Sequence, residues 1–87
     1  MKIPVSHYKK SDKELFVNGG SVHIDSQYLI LESFFRKIAL FSIDDVKCRK
    51  LPDELIFKAL ELYDNNQSYV LLLTKTNYFK LCEALKI

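Results

Sequence analysis

The apolar residues of this chain come in short runs broken by polar clusters, and only the run that closes it keeps an unambiguous helical spacing. Tyr78, Leu81, Cys82 and Leu85 stand at i, i+3, i+4 and i+7, the stripe a helix needs to dock on a sheet. Lys80, Glu83 and Lys86 take the outer side of that helix, with Thr76 or Asn77 as its N-cap. Val22-His23-Ile24 alternates as a half-buried strand does. Val46–Leu51, Leu55–Tyr63 and Ser68–Thr74 read as further strands, with Asp64-Asn65-Asn66-Gln67 as a hairpin turn in which Asn tolerates positive φ. Leu51-Pro52-Asp53-Glu54 places Pro and Asp at the centre of a type I turn. Lys58 and Glu61 break strict alternation, which a bulge would absorb.

Three segments are less direct. Residues 1–10 hold Pro4 and no period, which makes them an arm or a first edge strand. Ser11-Asp12-Lys13-Glu14 is a capping-box pattern. It opens either a two-turn helix from Ser11 to Asn18 or a short strand over Leu15–Val17, which Asn18-Gly19-Gly20 ends. Between Tyr28 and Phe41, Tyr28, Leu31, Phe35 and Ile38 fit one helical face. Leu29, Ile30, Phe34, Leu40 and Phe41 would then cover the rest, and a domain of 87 residues has little room to bury a helix that is apolar all round. Two strands, Tyr28–Leu31 and Lys37–Phe41, are the preferred reading; a helix at about 27–41 packed on an antiparallel sheet is the alternative. The expected class is α+β, mainly β: a bent antiparallel sheet or partly open barrel of five to seven strands with one C-terminal helix, in a single domain over 1–87.

The segment SVHIDSQYLILESFFRKIALFSIDDVKCRKL resembles the front half of bacterial pleckstrin-homology-like (PH-like) domains, with Ile43-Asp44-Asp45-Val46 as the "I-x-x-D-aliphatic" corner. ALELYDNNQSYVLLLTKTNYFKLCEALKI is similar to their back half, a hairpin running into a closing helix. The resemblance covers about residues 15–87. It implies a scaffold that binds lipids in some members and peptides or partner subunits in others. The basic cluster of phosphoinositide-binding members is missing, since neither Asn18-Gly19-Gly20-Ser21 nor Asp25-Ser26-Gln27 holds a Lys or Arg. The Trp that many members carry in the closing helix is missing too.

Charge narrows the partner. Thirteen basic against 11 acidic residues leave a net charge of +2, too mild to announce nucleic acid or an anionic membrane. Cys48 and Cys82 lack metal or redox spacing and read as reduced thiols of a cytoplasmic protein. His7 and His23 stand at no metal-ligand spacing, and the pairs Asp44-Asp45 and Asp53-Glu54 fall at turns, which favour such residues. No catalytic residue, metal, cofactor or small-molecule substrate is expected, and the chain reads as a binding module. Adjacent aromatics at a turn cannot both enter a strand's core, so Phe34 and Phe35, with Arg36 and Lys37 beside them, form the expected contact site for a protein partner or a homo-oligomer. A peripheral anionic lipid- or nucleic-acid-binding domain, using Lys47, Arg49 and Lys50, is the alternative.

Overall fold

The computed structural model describes residues 1–13, 17–33 and 36–87. Among these residues, nine strand segments precede one helix: β1 (Lys2–Pro4), β2 (His7–Lys10), β3 (Val17–Asn18), β4 (Ser21–Ile24), β5 (Tyr28–Ser33), β6 (Arg36–Ser42), β7 (Lys47–Glu54), β8 (Phe57–Tyr63), β9 (Ser68–Leu73) and α1 (Lys75–Leu85). They form two antiparallel sheets, ordered β1-β4-β5-β6 and β3-β2-β9-β8-β7. The fold is therefore mainly β with a C-terminal helix, and residues 28–41 hold two strands, not a helix.

The segments count as nine because two strands cross from one sheet to the other. β1 pairs with β4 in the first sheet, and after Val5 and Ser6 the same chain pairs as β2 with β3 and β9 in the second. Residues 17–24 do likewise through Gly19 and Gly20. At the corner the Val5 N–H donates to the Gly20 carbonyl (3.0 Å) and the Gly19 N–H to that of Ser6 (2.8 Å). Both glycines have positive φ, +75° and +152°. The Gly-Gly pair therefore bends a strand instead of ending a segment. Residues 1–10, expected as an arm or a first edge strand, do supply an edge strand of the first sheet in β1, and in β2 an interior strand between β3 and β9. Counted through these bends, seven strands run in meander order, with the first paired to the last. Of the Ser11–Asn18 region, residues 14–16 lie outside the described set and Val17–Asn18 is strand. The Ser11 side chain hydrogen-bonds Glu61 and Ser68.

The core lies between the sheets. Leu29, Leu31 and Phe41 face Leu60, Leu62, Leu71 and Leu73, while Tyr78, Leu81 and Cys82 of α1 fill one open end; α1 packs on β1, β8 and β9. Its N-cap is Thr74, whose Oγ1 accepts from the Asn77 N–H (3.3 Å), not Thr76 or Asn77. At the other end Lys86 turns left-handed (φ +58°), and its N–H closes on Cys82 and Glu83, so it ends the helix through its backbone.

Two turns rest on aspartate. Asp25 Oδ1 accepts from the Gln27 and Tyr28 N–H groups (2.8 and 2.7 Å). These bonds, Tyr28's first, hold its carboxyl below the ordinary range. Asp64 Oδ1 likewise accepts from Asn66 and Gln67. That carboxylate shapes the hairpin, since neither Asn has a positive φ.

Candidate partner-binding surface

β7 is the last strand of the five-stranded sheet, with β8 as its only neighbour among the described residues. Its register sets Lys47, Arg49 and Leu51 opposite Tyr63, Glu61 and Ala59 on the outer face, and Cys48 and Lys50 opposite Leu62 and Leu60 on the core side. The basic residues of β7 therefore divide between two faces. Arg49 is already engaged, with Nη1 3.5 Å from the Glu61 carboxylate and its guanidinium 5.3 Å over the Tyr63 ring. Lysines along an edge strand also discourage indiscriminate edge-to-edge pairing.

The far end of β7 differs from expectation. Leu51–Glu54 is no type I turn: the chain stays extended, pairing with β8 slips between Leu51 and Glu54, and it resumes at Glu54 opposite Phe57. The slip therefore lies in β7, and β8 runs in unbroken register against β9. Lys58 and Glu61 simply occupy opposite faces of β8. Lys58 reaches Asp53 at 3.2 Å and stands 6.0 Å over the Tyr78 ring, which ties this hairpin to α1.

The reversal itself falls on Leu55 and Ile56, which are 92% and 88% exposed. Leu55 has φ +57°, a left-handed conformation that costs a non-glycine residue about 1–2 kcal/mol. Two-residue hairpins normally place Gly, Asn or Asp in such positions. No burial within this chain offsets that cost.

At the near end of β7 a groove of about 610 Å³ separates the strand from the C-terminal turn of α1. Ile43, Val46 and Cys48 form one wall, Leu85 and Ile87 the other, and Lys47 and Lys86 stand beside it. Cys48 is a free thiol. Burial first, and then the neighbouring Cys82, push its pKa up to about 11. A raised pKa leaves little thiolate, the reactive form, at neutral pH. Alkylation of Cys48 by iodoacetamide at pH 8 should therefore run about 100-fold slower than that of a thiol at the ordinary 9.0. The rate should climb through about pH 11, and peptide-resolved mass spectrometry checks both. Rapid labelling at pH 8 would contradict this environment.

A second cleft, of about 410 Å³, opens on the outer face of the same sheet. Its centre is Glu61, whose Oε2 accepts from the Ser68 and Ser11 hydroxyls (2.6 and 2.9 Å), themselves 2.6 Å apart. The Ser68 bond chiefly, then Ser11 and Arg49, holds this carboxyl below the ordinary range. An ionised carboxylate spent on two hydroxyls and an arginine ties strand ends together and is a poor proton acceptor. Around it Asp12 and Asp64 join Glu61 against Lys10 and Arg49, a balance unsuited to an anion.

Of the expected contact site, Phe34 and Phe35 lie outside the described residues. Arg36 and Lys37 open β6, exposed, in the other sheet from Lys47, Arg49 and Lys50. Lys37 sits opposite Glu32, which Lys2 approaches at 3.7 Å. His7 is on the outer face, its ring edge-on to Phe57 at 5.2 Å and its buried Nδ1 without a hydrogen-bond partner. Among the described residues, no three of His, Cys, Asp and Glu group as metal ligands, and no helix is long and apolar enough to cross a membrane. The features that sequence reading missed are the exposed Leu55-Ile56 tip and the groove. A dipeptide of two aliphatic residues carries no turn signal, and a groove between elements distant in sequence leaves no local mark. No family model, curated protein or solved structure matches the chain.

Proposed function

We propose that this chain is a non-catalytic interaction module of PH-like architecture that holds an extended segment of a protein partner along β7. The observation that carries the reading is an eight-residue edge strand whose core side opens on an apolar groove against α1. An edge strand offers backbone hydrogen bonds to an added strand, and adjacent apolar recesses select its alternate side chains. Lys47, Lys50 and Lys86 favour a segment that carries acidic residues. The PH-like assignment is supported by the meander of seven bent strands, the pairing of first with last, and the helix in one open end. Against catalysis, Glu61 is committed to its serines and Cys48 is held as a thiol. The two free cysteines support a reducing compartment, the cytoplasm.

Selection from a random library of linear peptides tests this. Enriched peptides should alternate apolar and acidic residues, shift the amide resonances of β7 and α1, and slow the alkylation of Cys48. Ile87→Glu, at an exposed position, should weaken them about tenfold by repelling the acidic segment. Peptides whose shifts map to other strands, or a selection that enriches none, would refute the reading.

A further inference from the structure

From the layout of β7 we infer that its partner is a second copy of this chain, bound antiparallel across a two-fold axis through the middle of the strand. This rests on the reading of β7 as the binding edge and names the segment that occupies it.

The charges of β7 are self-complementary. Its first half carries Lys47, Arg49 and Lys50, its second half Asp53 and Glu54. Parallel apposition of two copies would stack like charge on like. Antiparallel apposition sets each basic half against the other copy's acidic half, an isologous arrangement. The existing pairs of Arg49 with Glu61 and Lys58 with Asp53 do not obstruct this, because Arg49 and Asp53 are well exposed and such pairs re-form at little cost.

The ends of the strand are complementary as well. The bare Leu55-Ile56 tip follows the last residue of β7, and the groove of Ile43, Val46, Cys48 and Leu85 lies at its first. The same two-fold that matches the charges carries each tip toward the other copy's groove. The strained, exposed Leu55 then gains a burial that it lacks within one chain. Pro52 has no N–H to donate, so the ladder between copies lacks one bond at that residue, and side chains complete the contact there. The two five-stranded sheets join into one of ten strands.

Light scattering coupled to size-exclusion chromatography tests the inference. The wild type should elute at twice the 10.2 kDa of one chain. Leu55→Gly with Ile56→Ser should elute as a monomer with a wild-type circular dichroism spectrum, because Gly suits the φ and both side chains are exposed. Lys47→Glu/Lys50→Glu and Asp53→Lys/Glu54→Lys should each be monomeric alone, and an equimolar mixture should restore the dimer. A dimer that ignores both sets of changes uses another face and overturns the inference. So does a wild type that stays monomeric up to about 1 mM, a concentration at which even weak association registers. If that monomer still binds selected peptides along β7, the module reading survives and only the self-pairing falls; if it binds none, both fall.

Discussion

Gly20→Ala should lower the unfolding free energy by about 3–5 kcal/mol, combining backbone strain with a steric clash. At φ +152° the backbone lies in a region that side-chain-bearing residues essentially avoid, at a cost of about 1–3 kcal/mol. A Cβ built on Gly20 would stand 2.7 Å from the Glu32 carbonyl oxygen. That oxygen belongs to the backbone of β5, so relief requires moving a strand and not rotating a side chain. A domain of 87 residues holds roughly 4–13 kcal/mol in total, and this loss takes a large share. Gly19→Asn supplies the control. Its φ of +75° is one that Asn visits, and the loss should stay below about 1 kcal/mol. Urea midpoints at constant m-value measure both. Equal, small losses would mean that the strand does not need its glycine corner.

That corner also explains which parts of the fold were legible in the sequence. Where a strand stays in one sheet, its alternation survives, and Tyr28–Phe41 resolved correctly into two strands. Where a strand changes sheets, the inward parity flips. Ile3 and Val5 face the core, but after the bend so does Tyr8, and Val17 before the glycines gives way to Val22 after them. A period-2 pattern cut into pieces of two to four residues looks like no period at all, which is why residues 1–10 read only as an arm or a first edge strand. The terminal helix showed itself because its stripe faces one core throughout. Its N-cap was misplaced by two residues or more because Thr74 directly follows a buried strand and carries no distinguishing neighbour.

The candidate surface was legible only in its charges. Val46–Leu51 was legible as a strand that carries Lys47, Arg49 and Lys50. What turns that strand into a binding edge is its place at the end of a sheet, and strand order depends on long-range pairing that no local segment encodes. Leu51-Pro52-Asp53-Glu54 has good turn chemistry, yet the chain turns three residues later, at Leu55-Ile56. β7 stays extended through Pro52 because an edge strand does not need that residue's missing N–H. The reversal then falls on whichever residues follow, here Leu55 and Ile56.

Phe41→Ala should cost about 3–5 kcal/mol, the range for emptying a buried aromatic site. Phe41 is wholly buried in β6 and is the largest of the fully buried side chains. Its ring meets that of Tyr69, on β9 of the opposite sheet, edge to face at 6.5 Å. Such pairs add about 0.5–1.5 kcal/mol beyond the area they bury. The contact matters for the architecture because β6 and β7 do not pair. On that open side the sheets are held by packing across the core and by single bonds such as that from Gln67 Nε2 to the Leu40 carbonyl (2.7 Å). Removing the ring should therefore loosen that side first. Amide exchange of β6 and β7 should quicken more than that of β2 and β4, which lie next to the corner where the chain crosses between the sheets. Phe41→Leu retains most of the volume and should cost roughly half as much. If exchange quickened uniformly in Phe41→Ala, the ring would support the core as a whole and would not be a specific tie across the open side.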